Sequence, residues 1–173
     1  EQQLGMGEAL GRMICDPTFR CQALKEENDQ AVTFAHPEVS LLATCFQQDV
    51  PFTVHVGIGT DVIDQHPSFN GCAKGGCSGR DFLIYTQQIS QLTAGGVILN
   101  IGSAVTGPEV LLKAISMAAN AQAVPHNITT ADFDLRDYRP NHLSDEAAPG
   151  YYNRDQKSIV TRIPQAFSGT GLY

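Results

Sequence analysis

The chain of 173 residues is 42% hydrophobic and 17% charged, enough for one ordinary domain with its own core and too apolar for a disordered segment. Its net charge of −7, with eleven Lys and Arg scattered along it, argues against a protein that tracks nucleic-acid phosphates and favours a small-molecule or cationic partner. No apolar run approaches a membrane span, the first residues lack a signal-peptide pattern, and five cysteines suit reduced thiols better than a disulfide framework, so the expected setting is cytoplasmic.

In chain order, Leu4 to Cys15 places Leu4, Met6, Leu10, Met13 and Ile14 at mostly helical spacings, with Asp16-Pro17 as the stop. Thr18 to His36 is polar, and Lys25-Glu26-Glu27-Asn28-Asp29 reads as a solvated loop. Pro37 opens an amphipathic helix that runs to Gln48. Phe52 to Val56 reads as a strand feeding Gly57-Ile58-Gly59-Thr60-Asp61, which puts Asp61 at a strand's carboxyl end. The glycine-rich stretch through Asp64, His66, Asn70, Cys72, Lys74, Gly75, Gly76 and Cys77 is too long for an ordinary connector and reads as a functional loop. His66 is its best-placed base, whereas His55 alternates within the strand and reads as a hydrogen-bonded core or interface histidine. Arg80 to Leu92 then carries a helical pattern of Phe82, Leu83, Tyr85, Ile89 and Leu92.

Gly95 to Asn120 is the centre of the arrangement. Val97 to Ile101 is a short apolar run between glycines, the pattern of a strand buried on both faces of a parallel sheet. After Gly102-Ser103, Gly107-Pro108-Glu109 starts a helix rich in Leu, Ala, Ile and Met. Asn100, Ser103 and Glu109 would lie beyond the strand's carboxyl end, where open α/β sheets bind ligands. Ile128 to Phe133 is a third strand, ending among Asp132 and Asp134, and Asp137 to Arg154 is a loop. Ser158 to Ile163 offers a last strand. The fold expected over residues 1–173 is one α/β domain with a Rossmann-like, doubly wound parallel sheet and flanking helices, incomplete in this chain.

Local motifs are sparse. Gly57-x-Gly59 and Gly95-Gly96 complete neither the dinucleotide fingerprint nor a P-loop, and Ser78 and Ser103 sit in no nucleophile elbow. Cys72, Cys77 and His66 lack the paired spacing of a four-ligand zinc site, so no metal is expected there. Asp61, Asp132 and Asp134 could together hold Mg²⁺ or act as acid and base, although strand-end aspartates also serve as plain helix caps.

The runs SLLATCFQQDVPFTVHVGIGTD, GRDFLIYTQQISQL, GGVILNIGSAVTGPEVLLKAISMAAN and ITTADFD carry Thr60-Asp61, Gly95-Gly96, Thr130-Ala131 and Phe133-Asp134 in an order and spacing that resemble bacterial proteins of unassigned activity related to deoxyhypusine synthase. The resemblance covers Ser40 to about Ile163. It implies a doubly wound domain of the NAD-binding type, in an enzyme that oxidises spermidine and carries the aminobutyl group on a lysine. It places Thr130 and Ala131 at the NAD site and Lys157 at the nucleophile's place. Strand-end position adds Gly57, Gly59, Thr60, Asp61, Asn100, Gly102, Ser103 and Asp134 to the expected cofactor contacts.

The family's Trp-Gly before the lysine is Asp155-Gln156 here, and its Lys-His-His is represented by Gly107-Pro108-Glu109, where Glu109 could still bind an amine. The simpler reading of Lys157 is an exposed lysine beginning an edge strand. Related proteins carry a preceding half of the fold, so this chain reads as the later half, with one edge or face of its sheet left for a second copy or a companion chain. The leading expectation is an NAD-linked enzyme acting on an amine-bearing small molecule. The alternatives are a nucleotide-binding or assembly module without catalysis, and a carboxylate and metal-dependent enzyme.

Overall fold

The computed structural model describes residues 4–19, 33–92 and 95–173, so most of the polar stretch from Thr18 to His36 lies outside the described residues. The chain divides into two compact units, Glu1–Tyr85 and Thr86–Tyr173. Among the described residues no helix is long and apolar enough to cross a membrane.

In the first unit, helix α1 (Met6–Cys15) packs on helix α2 (Leu41–Gln47). The glycines of α1 make the approach possible: a Cβ on Gly7 would stand 1.7 Å from the Phe52 carbonyl oxygen, and one on Gly11 would stand 2.7 Å from that of Leu42. The helix expected from Pro37 is divided in two. A 3₁₀ turn over Pro37–Val39 ends at Ser40, whose extended backbone begins α2 and whose Oγ accepts the Ala43 N–H at 3.2 Å.

Helix α3 spans Gly71–Ser90, nine residues longer at its start than the sequence pattern predicts. Asn70 caps it, its Oδ1 accepting the Ala73 N–H at 2.9 Å, so the expected functional loop ends there and Cys72, Lys74, Gly75, Gly76 and Cys77 are helical. The segment Phe52 to Val56, expected as a strand, forms none and belongs to no sheet. Side chains of α3 take the place of a neighbouring strand: Asp81 Oδ2 accepts the Val54 N–H at 2.9 Å, while Ser78 Oγ accepts the Val56 N–H at 3.2 Å and donates to the Val54 carbonyl at 2.8 Å. The same Asp81 oxygen accepts the N–H groups of Met6 and Gly7, at 3.0 and 3.2 Å, and so caps α1 from another helix.

The second unit is a parallel sheet of three strands, β1 (Val97–Ile101), β2 (Thr129–Phe133) and β3 (Thr170–Leu172), in the order β1-β2-β3. Helix α4 (Thr106–Asn120) links β1 to β2, and its buried stripe of Pro108, Leu111, Ala114, Ile115 and Ala118 has helical spacing. A π-helical segment over Gln156–Arg162 continues into a turn of α-helix, α5 (Ile163–Ala166), before β3. The strand expected over Ser158 to Ile163 is therefore helical. Its β-branched run favours a strand locally, but Asp155, Gln156, Ile159 and Ile163 are all buried, a spacing that one face of a helix gathers and that a strand would split between its two faces. Gly171 makes room for this segment, since a Cβ there would lie 1.9 Å from the Val160 carbonyl oxygen.

β1 and β2 are parallel with their carboxyl ends together, as the sequence predicts. β1 is not buried on both faces, however. Val97, Leu99 and Ile101 are more than half exposed, and only Asn100 is buried.

Candidate functional site

The register of the sheet pairs Asn100 with Asp132 on the covered face, one residue before each strand ends. Asn100 Nδ2 donates to Asp132 Oδ1 at 2.6 Å and to the Ser103 carbonyl at 2.9 Å, which folds the end of β1 back over the strand. Asp132 is only 2% exposed, yet its Oδ2 has no hydrogen-bond partner. Asp134 and Arg136 follow directly after the end of β2. Arg136 pairs with Asp134 and with Asp155 and donates to Asn153 Oδ1 at 2.9 Å. Asp155, at the start of the π-helical segment, is 1% exposed and its Oδ1 is likewise unpartnered. The cluster continues through Asn153 Nδ2 donating to Gln156 Oε1 at 3.2 Å and Gln156 Nε2 donating to Tyr173 Oη at 3.3 Å, with Tyr173 stacked on Tyr138 at 5.1 Å.

Two carboxylates, Asp134 and Asp155, thus share one guanidinium, and Asp132 stands near them without a cation of its own among the described residues. Burial pushes the Asp132 carboxyl above its ordinary value, and the charges of Asp155 and Asp134 push it further against the opposing hydrogen bond from Asn100. Burial also acts to raise Asp134, but its hydrogen bond to Arg136 and the Leu135 and Arg136 amides outweigh that and hold it below the usual range. Burial, together with the charge on Asp134, raises the Tyr173 phenol. The chemistry open to this arrangement is reception of a cationic or amine donor by two buried carboxylate oxygens, one on a carboxyl whose proton affinity is increased.

The remaining expected contacts are spread out. Gly102 is left-handed, with φ 67° and open space where a Cβ would stand, and its N–H extends the ladder to the Phe133 carbonyl at 3.0 Å. Ser103 Oγ accepts the Gly107 N–H at 2.8 Å and so serves as a cap for α4. Thr130 is fully buried and its hydroxyl donates to the Ile159 carbonyl, so it locks the π-helical segment to β2, while Ala131 is buried beside it. Glu109 is closed by Lys113 and by Arg154, the latter at 2.6 Å, and these partners hold its carboxyl below the ordinary value. Lys157 begins no strand; its ammonium lies 3.5 Å from the centre of the Tyr151 ring, a contact that engages the charged form, whereas an imine needs the free amine.

In the first unit, Gly57 to Asp61 forms a turn closed on Lys74. The Lys74 ammonium donates to the Gly57 carbonyl at 3.0 Å, to Asp61 at 2.7 Å and to Asp64 at 2.5 Å, which uses all three of its protons. Burial acts to lower the Lys74 ammonium, but the two aspartates outweigh it and hold it above its ordinary value. Gly59 is left-handed, with φ 83°, and its N–H reaches Asp64 at 2.6 Å; a Cβ on Gly57 would stand 2.3 Å from Thr60 Oγ1. The glycines there serve a lysine-pinned turn. His66 is exposed, accepts the Ser68 N–H at 3.2 Å and lines an open groove of about 720 Å³ with Val62, Ile63 and Phe69. His55 bonds Thr53 at 3.0 Å and meets Tyr85 edge-on; burial lowers it, with the Asp81 charge opposing.

Among the described residues no group of three or more His, Cys, Asp or Glu could hold a metal ion. Cys15, Cys45, Cys72 and Cys77 are free. The structure brings Asn100, Ser103 and Asp134 together and adds Arg136, Asn153, Asp155, Gln156 and Tyr173, which sequence reasoning missed. Arg136 was findable as the cation two residues beyond Asp134. Asp155 was not, because its place depends on a helix where a strand was expected. A scan against protein-family models, a search of curated proteins and a search of solved structures each return no match for this chain.

Proposed function

We propose that the second unit is the ligand-holding part of a Rossmann-like, NAD-linked cytoplasmic enzyme acting on an amine-bearing small molecule, which it receives at Asp132 and Asp155. One observation carries this reading: two buried carboxylate oxygens without a partner, Asp132 Oδ2 and Asp155 Oδ1, sit in one cluster at the carboxyl edge of a parallel sheet. An unsatisfied buried acceptor costs about 1–3 kcal/mol, and more when charged, so a ligand's donors would stabilise this pair. An ammonium brings both the charge and the N–H groups that the pair lacks.

NAD enters this reading through the resemblance and through the open left-handed turn at Gly102, which suits close backbone approach to a dinucleotide. Thr130 does not offer its hydroxyl, so the fit is through backbone at Gly102 and Ser103. Bound NAD would supply a hydride acceptor; Asp132 would hold or accept an amine proton, and Asp155 would orient the amine.

Titration calorimetry with spermidine, and separately with NAD, tests the proposal on the whole chain. Binding of spermidine that Asp132→Asn and Asp155→Asn each weaken by tenfold or more is the expected result. Undiminished binding in both variants, or no binding by the wild type, overturns it. The second reading, a nucleotide-binding or assembly module without catalysis, is favoured by Lys157 resting on Tyr151 and Glu109 closed by two cations. Binding of NAD without any amine would select it.

A further inference from the structure

The face of the sheet opposite the carboxylate cluster carries a continuous apolar surface. Val97, Leu99 and Ile101 of β1, Phe133 of β2 and Leu172 of β3 are all more than half exposed, and the strand register sets Leu99 in line with Leu172 and Ile101 in line with Phe133. Parallel strands are ordinarily covered on both faces, and lone exposed apolar residues are common, but five in register across three strands are not. We propose that a second copy of this chain covers the face, sheet against sheet about a two-fold axis.

Two features select a second copy. The first is charge. The chain carries a net −7, so two copies repel unless they meet on ground free of carboxylates, and this face has none: its other positions are Thr129, Ala131 and Thr170, uncharged like the five exposed residues. A charged partner would find nothing to pair with there, whereas an isologous contact sets each apolar residue against its like without a like-charge pair. The second is area. The five exposed side chains offer roughly 500 Å², at the upper end of what a monomer leaves open and most of the ~800 Å² that each partner buries in a standard interface.

Sedimentation velocity of the whole chain, from dilute to concentrated solution, tests the proposal. The wild type is expected to run as a dimer. Leu99→Glu and Ile101→Glu each place two uncompensated carboxylates in the dimer, so the dissociation constant should rise about a thousandfold or more and the monomer dominate. Val39→Glu, at a residue 79% exposed in the first unit, should leave the dimer intact. If the glutamate variants melt without cooperativity, Leu99→Thr supplies the test, because it keeps strand propensity while removing apolar surface, and it should weaken the dimer by tenfold or more. A monomeric wild type, or a dimer that folded Leu99 and Ile101 variants leave unchanged, overturns the proposal.

Discussion

Replacing Asp132 by Asn should stabilise the protein at neutral pH, by an amount that depends on pH in a defined direction. Asp132 is 2% exposed, accepts one hydrogen bond from Asn100, leaves Oδ2 bare, and stands near the charges of Asp134 and Asp155. Burial, aided by those charges, raises its pKa in the folded state above the unfolded value of 3.8. A carboxyl shifted upward binds its proton more tightly when folded. Its contribution to stability is fully present below the unfolded pKa and is lost as pH rises through the folded one. Wherever Asp132 is ionised the native state therefore carries a buried charge it would be better without. The amide keeps an oxygen for Asn100 Nδ2 and removes that charge, which should return about 1–2 kcal/mol, the scale of one uncompensated buried polar group. For a unit of this size that is a rise of roughly 4–16 °C in Tm. Urea denaturation of wild type and Asp132→Asn across a pH series measures it. The advantage should be largest at neutral pH and vanish below about pH 4, the range of an unperturbed carboxyl. A variant less stable than wild type at neutral pH, or one whose advantage does not change with pH, would refute the reasoning. The same variant is expected to lose amine binding, a trade of function for stability.

Other outcomes follow from the first unit and from α4. Asp81→Ala strips three backbone N–H groups of their acceptor and should cost about 3–5 kcal/mol in urea denaturation, with Asp81→Asn retaining part of it. Gly7→Ala, which intrinsic propensity alone would favour by about 0.5–1 kcal/mol, should instead destabilise by about 1–3 kcal/mol or more, because the new Cβ falls 1.7 Å from the Phe52 carbonyl oxygen; a Tm at or above that of wild type would contradict the α1 packing. Glu109, held below its ordinary value by Lys113 and Arg154, contributes stability that is present above the unfolded pKa and lost as pH falls through the folded one. Glu109→Gln should accordingly lower stability in the neutral region and leave it unchanged at the acid end, which flattens the acid limb of the profile; thermal melts across pH would show it.

What the sequence alone determined is local. The β1–α4–β2 unit is legible because its signals are carried within a few residues: a short apolar run, a glycine turn, a proline in the first helical turn and a stripe at helical spacing. The strand-end carboxylates Asp132 and Asp134 are legible for the same reason, since a strand's alternation and its end fix where they fall. Tertiary structure decided the rest. Phe52 to Val56 has the composition of a strand, but Asp81 and Ser78 satisfied its backbone before any strand could, and nothing within the segment announces a helix's side chains more than twenty residues away. Ser158 to Ile163 has strand propensity worth about a kcal/mol at most, which the burial of Ile159 and Ile163 and the Thr130 bond to Ile159 outweigh. Asp155 entered the site only through that helix. The apolar pattern of β1 states that Val97, Leu99 and Ile101 gain by being covered; whether a cover exists is a property of the other elements, because hydrophobic burial is non-directional and names no partner.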